Sequence, residues 1–259
     1  MWRAWECGYF ELSEAQGLPP ALGQVEITKQ LGHILISDTI HKDYVMSRRT
    51  GICPAGVPQH VIQRGYNRQI CFRDVSDHAA FYMYLARYSE QFNLDVHAWV
   101  LMNNHVHLLV TPNARDTLAP FMKALSQGYA QYFNAKHDRV AQLWERRVRS
   151  CLVDTEHYFL QCQRYIELNP VMARVVSHPD SFQWSSYGNH ARGMKTKFHT
   201  PHECYLEMHS SPSPRQLRYQ KFVARKTPQD MAERIRHAVM SGKALGDAEF
   251  RKRMRELGE

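Results

Sequence analysis

Two histidines separated by one residue, His105 and His107, are side chains that could hold a metal ion. They open the segment of residues 105–111 (HVHLLVT), which is typical of a β-strand. Residues i and i+2 of a strand point to the same face roughly 6.6 Å apart, at about 3.3 Å per residue. Two imidazoles so placed can share one ion. The pair alone is a weak signal, because polar strand faces carry two histidines by chance.

A tyrosine and an asparagine one helical turn apart could complete such a site. Tyr165 and Asn169 are i and i+4 in residues 155–169, which we predict as a helix stopped by Pro170. On one helical face, the amide oxygen could ligate a metal and the phenol could act as nucleophile. The alternative is a buried tyrosine bonded to a neighbour, with Asn169 capping the helix end.

The elements that must position these residues run strand, helix, strand, strand, helix, strand, followed by an extra helix. The predicted strands cover residues 57–63, 94–102, 105–111 and 147–153, and the predicted helices residues 77–92, 116–135 and 155–169. Asn103-Asn104 is a two-residue turn signal, so the second and third strands should form a hairpin. This order predicts an α+β fold, a ferredoxin-like, RRM-like antiparallel βαββαβ sheet with helices on one face. The added helix carries Tyr165, and a helical tail follows.

Composition favours an anionic partner. Lys and Arg number 33 and Asp and Glu 25, a formal net charge of +8, and nucleic acid is the commonest partner of such a surplus. The six cysteines form no C-x-x-C pair, which argues against a zinc ribbon and fits reduced thiols in a cytosol. No apolar run long enough for a membrane span is present. We therefore predict a soluble, cytoplasmic, nucleoid-associated protein with no membrane partner.

A basic cluster beside an aromatic residue is the predicted nucleic-acid surface. Lysine and arginine contacts to phosphate give salt-dependent affinity, and aromatic rings stack on unpaired bases. The alternative is that Trp144 belongs to the core and the arginines form a solvated strand edge. The predicted DNA-binding residues are Arg64, Arg68, Trp144, Arg146, Arg147 and Arg149.

Five ordered motifs resemble the HUH single-strand transposases, and most closely the REP-associated tyrosine transposases. The motifs span about residues 56–190, with a weaker echo at residues 242–250. They are HVIQRGYNRQICF (residues 60–72), HAWVLMNNHVHLLVTP (97–112), LWERRVRSCLVD (143–154), YIELNPVMARVV (165–176) and WSSY (184–187).

The resemblance implies a role for each candidate residue. The family's His-hydrophobic-His pair, which binds a divalent metal, corresponds to His105 and His107. Its nucleophilic tyrosine lies on the helix ending at the Asn-Pro dipeptide, which is Tyr165 here, and Asn169 occupies the place of the further ligand. Two histidines, an amide oxygen and water or phosphate oxygens suit Mg²⁺ or Mn²⁺. Tyr158, seven residues before Tyr165, is the serious rival nucleophile; Tyr129 and Tyr132 do not lie on this helix.

The residue pattern and the resemblance together predict a division of the chain. Residues 46–190 would form the catalytic domain, and residues 191–259 a polar linker and a helical tail starting at Thr227-Pro228. Residues 1–45 depart from the family pattern. We expect them to be an extension upstream of a native start at Met46; the alternative is an arm with its own role.

The expected function is that of a DNA-cleaving strand transferase. It would cut single-stranded DNA near a hairpin through a 5′-phosphotyrosine, as a monomer or homodimer. Two alternatives are a non-catalytic regulator that binds DNA hairpins on the same fold, and a metal-dependent hydrolase that activates water. An inactive copy would often have lost His105, His107 or Tyr165, and all three are present.

Overall fold

A computed structural model describes residues 53–226 and 228–257. The predictions for residues 1–45 and for a start at Met46 lie outside the described residues. No helix among the described residues is long and apolar enough to cross a membrane. The five cysteines from Cys53 to Cys204 form no disulfide.

A four-stranded antiparallel sheet forms the centre of the fold. Its strands are β1 (Gln59–Arg64), β2 (Leu94–Met102), β3 (His105–Pro112) and β4 (Arg149–Leu152). They lie in the order β2-β3-β1-β4, with β2 and β3 joined by the predicted turn at Asn103 and Asn104. This order and the intervening helices confirm the ferredoxin-like sheet.

Helices α1 (Val75–Gln91) and α2 (Leu118–Lys136) cover one face of the sheet. Asp74 and Asp77 form a capping box that fixes the start of α1. Trp99 of β2 contacts Tyr82 of α1 on this face, with ring centroids 5.7 Å apart. Because side chains alternate along a strand, the neighbours of Trp99 in β2 point to the other face.

That other face is also covered, by helices α3 (Phe159–Glu167) and α8 (Gln229–Ser241). Ile62 of β1, Ile166 of α3 and Ile235 of α8 belong to one buried cluster. The expectation of helices on one face therefore holds for the two helices of the βαββαβ unit, while α3 and α8 form a second layer. The tail helix shares its core with the sheet.

The boundaries predicted for the helix over residues 155–169 were wrong at both ends. It begins at Phe159, because Asp154 accepts a hydrogen bond from the backbone of Glu156 and holds a turn there. At its far end Leu168 interrupts it, and α4 (Asn169–Met172) follows. Pro170 does not end the helical segment. It lies in the first turn of α4, where its missing N–H removes no helical hydrogen bond.

The segment predicted as a linker also contains helices. They are α5 (Tyr187–Arg192), α6 (Glu203–Leu206) and α7 (Pro212–Ala224), followed by α8 and α9 (Ala248–Glu256). Proline-rich composition suggested a linker, but Pro212 opens α7, and Tyr205 and Tyr219 are buried against each other. Helix α8 begins at Gln229 with Pro228 as its N-cap, one residue later than predicted; Thr227 lies outside the described residues.

Candidate active site

Strand β3 presents His105 and His107 on one face, as their spacing predicts. Their ring centroids are 5.0 Å apart. In the register with β1, His105 pairs with Arg64 and His107 with Ile62. Paired residues of an antiparallel ladder share a face, so Arg64 lies on the histidine side of the sheet.

Tyr165 of α3 lies against this histidine pair. Its ring centroid is 6.0 Å from that of His107. The break at Leu168 does not displace the next turn, since Leu168 keeps right-handed helical torsion angles. Asn169 therefore remains one turn beyond Tyr165, and its Oδ1 lies 3.4 Å from Nε2 of His105. The structure brings all four predicted catalytic and metal-ligating residues together.

The side chains around His105 favour a cation. Its Nδ1 lies 2.7 Å from the side-chain oxygen of Asn104, so Nδ1 donates and Nε2 carries a lone pair. That lone pair faces Oδ1 of Asn169 at 3.4 Å, and two facing acceptors are favourable when a divalent ion bridges them. Ligands about 2.1 Å from an octahedral ion lie about 3 Å apart, so the spacing fits.

Burial keeps both histidines neutral, which is the form that ligates a metal. It lowers the pKa of His105 to about 4. The pKa of the His107 imidazole lies well below its ordinary value, through burial and then through the neighbouring His60 and His105.

Neighbouring groups shift the pKa of the Tyr165 phenol in opposite directions. Burial raises its pKa, and the Cys162 thiol adds to this. The charges of Arg236 and Arg64 and a hydrogen bond with Asn169 act in the opposite direction. Arg236, on α8, was not predicted from the sequence, because only the packing of α8 on the sheet brings it near Tyr165.

A second group of ligand atoms lies at the start of α1. Asp74, Asp77 and His137 have ligand atoms within 4.8 Å of one another, the arrangement of a possible metal site. The ammonium of Lys136, however, lies 2.7 Å from Asp74 and 2.8 Å from Asp77. An ammonium group of the chain already pairs with both carboxylates, so we favour His105, His107 and Asn169 as the metal ligands.

His60 is a site residue that the sequence analysis missed. It is fully buried on β1, and its Nε2 lies 2.8 Å from Nδ1 of His107. Its ring also contacts Tyr165, with centroids 6.0 Å apart. The HVIQ motif contains His60, but only the register of β1 on β3 shows that it meets His107.

The predicted basic cluster lies beside the end of strand β1 that carries Arg64. The backbone N–H of Glu145 donates to the carbonyl of Arg64, so the arginine-rich segment runs beside the end of β1. Arg149 pairs with Ile62 in the ladder, and its guanidinium donates to the carbonyl of Met240 in α8. Three further predicted residues are exposed: Arg68, Arg146 and Arg147.

Trp144 does not fit its predicted role in base stacking. Its side chain is 6% exposed, its ring packs against Tyr129 and its indole N–H donates to the carbonyl of Ser126. The alternative of a core residue is thus the correct one. The exposed aromatic residue beside the basic segment is Tyr66, which is 46% exposed and follows Arg64 by two residues.

The competing tyrosines occupy other surroundings. Tyr129 and Tyr132 lie on α2, on the opposite side of the sheet, and the Tyr129 hydroxyl donates to the carbonyl of Cys71. Tyr158 is the N-cap residue of α3 and packs against the apolar cluster.

Comparisons with known proteins match the part of the chain that contains the sheet. Residues 56–169 match the family model of transposases described as "Transposase IS200 like". No curated protein matches the chain. A solved REP-associated tyrosine transposase bound to a REP hairpin is 16% identical, with a TM-score of 0.49 over 61% of this chain and 93% of that one. A candidate transposase from Deinococcus radiodurans R1 is 23% identical, with a TM-score of 0.33 over 47% and 94% of the two chains.

The matched segment holds all four strands of the sheet and ends at Asn169, so it contains His105, His107 and Tyr165. The resemblance seen in the motifs is therefore confirmed for residues 56–169, which match the family of IS200-like transposases.

Proposed function

We propose that this protein cleaves and rejoins single-stranded DNA through a covalent link to Tyr165. The observation that carries the proposal is the convergence of a phenol, two neutral histidines and an amide oxygen on one face of the sheet. A structural tyrosine would not need neighbours suited to a metal. The proposed metal is Mg²⁺ or Mn²⁺, held by His105, His107 and Asn169.

When bound, the ion would neutralise charge on the scissile phosphate and polarise it for attack. Asn169 keeps the Tyr165 oxygen beside this phosphate, since it contacts both His105 and the phenol. Tyr165 gives up its proton as its oxygen forms the new bond to phosphorus. The bond from phosphorus to the 3′-oxygen breaks, and that oxygen takes up a proton to become a free 3′-hydroxyl. The resulting 5′-phosphotyrosine can be attacked by another 3′-hydroxyl, which rejoins strands without a nucleotide cofactor.

Arginines around the site are suited to hold the DNA backbone. Arg64 lies on the histidine face and Arg236 close enough to Tyr165 to influence its pKa. Both can pair with phosphates that flank the cleaved bond. Tyr66 replaces Trp144 as the proposed stacking residue, because its ring is exposed. The resemblance to REP-associated transposases adds a hairpin next to the single-stranded cleavage site as the proposed substrate.

The test is a covalent capture assay with a labelled single-stranded oligonucleotide that contains a hairpin from the surrounding genome. We expect a protein–DNA adduct that survives denaturing electrophoresis, appears with Mg²⁺ or Mn²⁺ and disappears with EDTA. Cleavage without an adduct would indicate a water-activating hydrolase. Hairpin binding with neither cleavage nor adduct would favour the non-catalytic regulator.

A further inference from the structure

We infer that His60 is a positioning residue, which holds His107 in the tautomer whose Nε2 can ligate a metal. The inference rests on the proposed metal site and adds to it a residue that touches no metal itself. Nε2 of His60 lies 2.8 Å from Nδ1 of His107, both rings are buried, and their planes are inclined by 20°.

The direction of this hydrogen bond decides whether His107 can ligate. If His107 donates from Nδ1, its Nε2 carries a lone pair for the ion. If His60 donates instead, the proton of a neutral His107 is on Nε2, and ligation there is blocked. Metal-binding histidines usually donate their other N–H to a fixed acceptor, which orients the ring. His60 is placed to be that acceptor.

The second ring nitrogen of His60 is compatible with this assignment. Within the described residues, Nδ1 of His60 is buried and has no hydrogen-bond partner. A neutral His60 that accepts a hydrogen bond at Nε2 carries its own proton on Nδ1, and no neighbouring donor opposes a proton at that position. His105 also has a hydrogen-bond partner at Nδ1, which is the side-chain oxygen of Asn104. Each proposed ligand histidine thus has its own partner at Nδ1.

A direct ligand role for His60 fits less well. A shared metal site would need ligand atoms of His60, His105 and His107 that all lie close together. Among the described residues, these three histidines do not form such a group with all ligand atoms within 4.8 Å of one another. Packing alone also does not call for a histidine there. The next residue on the same strand face is Ile62, and an apolar side chain would avoid a buried, unpartnered nitrogen.

The experiment measures Mn²⁺ affinity of the full chain without DNA, from the free-Mn²⁺ signal in electron paramagnetic resonance. His60→Gln can place an amide oxygen near the position of Nε2, whereas His60→Asn is too short and His60→Leu has no acceptor. We expect His60→Gln to bind Mn²⁺ within about threefold of wild type, and the other two to bind 10–100-fold more weakly, the range typical of such outer partners. His78→Asn, at a buried histidine on α1, is the matched control and should bind like wild type.

Equal Mn²⁺ affinity in His60→Leu and wild type would overturn the inference, as would equal losses in His60→Gln and His60→Leu. The comparison between His60→Gln and His60→Asn keeps the test valid if His60→Leu fails to fold. His107→Ala separates the two proposals. If it binds Mn²⁺ as tightly as wild type, or if wild type binds none, the metal site itself is wrong.

Discussion

The side-chain oxygen of Asn169 lies 3.4 Å from Nε2 of His105, which connects the helical segment after Tyr165 to strand β3. The contact makes the amide a ligand candidate rather than a simple helix cap. It also joins the proposed nucleophile and the proposed metal site through one side chain.

Substitutions of Asn169 should change metal affinity according to the oxygen they retain. Asn169→Asp keeps an oxygen and adds negative charge, so it should bind Mn²⁺ more tightly than wild type. Asn169→Leu removes the oxygen and should weaken binding by about tenfold or more. Calorimetric titration with Mn²⁺ checks both. Unchanged affinity in Asn169→Leu would remove Asn169 from the ligand set.

Arg236 should contribute to DNA affinity through a phosphate contact. Arg236→Ala should weaken binding of single-stranded DNA and reduce the slope of log affinity against log salt by about 0.7. Arg234→Ala is the matched control, since Arg234 is also exposed on α8 but points to another side and pairs with Asp230. Fluorescence anisotropy at several salt concentrations gives both slopes. Equal effects of the two substitutions would mean that Arg236 adds only general charge.

Tyr66 and Trp144 should have opposite mutational profiles. Tyr66→Ala should cost about 1–3 kcal/mol of single-stranded DNA binding, the range for a stacked base, with little change in stability. Trp144→Ala should lower the free energy of unfolding by about 3–5 kcal/mol, because it empties a buried aromatic cluster. Anisotropy and denaturant unfolding measure the two quantities. A DNA-binding defect in a well-folded Trp144 variant, with none in Tyr66→Ala, would restore the original assignment.

Acidification should destabilise the fold partly through His97. This side chain is buried, with Nδ1 donating to the Thr200 carbonyl and Nε2 facing the Thr111 hydroxyl, and burial lowers its pKa from 6.5 to about 4. Below about pH 6.5 the unfolded chain takes up a proton that the folded chain refuses until about pH 4. The free energy of unfolding should therefore fall in this window, by about 2 kcal/mol at about pH 5 from His97 alone.

Denaturant unfolding at about pH 7 and about pH 5 tests this for wild type and His97→Gln. The variant should lose less stability on acidification than wild type does. His157→Gln is the control, because the His157 side chain is 66% exposed. Identical pH dependence in wild type and His97→Gln would exclude His97 as a contributor.

Local periodicity predicted most of the fold. Strand β2 was predicted to the residue and β3 to within one, since both are apolar strands bounded by a clear turn. The C-terminal layer was poorly predicted: residues 212–224 contain two prolines and have a weak apolar stripe, so their helix depends on burial of Tyr219 and Val223. The polar composition of this segment reflects the exposed face of the helix and gives no sign of the buried face.

The residues of the candidate site also fall into those that the sequence predicted and those that it did not. His105, His107 and Asn169 were found because their spacing within single elements is informative. His60 and Arg236 were missed because they reach the site through strand register and helix packing, which spacing does not encode. Trp144 was wrongly predicted to stack on bases, because neighbouring arginines do not determine whether an indole ring is exposed or buried.

The most direct test of the proposed chemistry maps the residue that carries DNA. Wild-type protein, Tyr165→Phe and the matched control Tyr158→Phe are incubated with the hairpin oligonucleotide and Mn²⁺, digested with protease and analysed by mass spectrometry. We predict a phosphotyrosine-linked nucleotide on the peptide containing Tyr165 in wild type and Tyr158→Phe, and no adduct or cleavage in Tyr165→Phe, which should still bind DNA and Mn²⁺. DNA on Tyr158 would keep the mechanism and change the residue. Cleavage by Tyr165→Phe at the wild-type rate, with no tyrosine linked to DNA, would contradict the proposed chemistry.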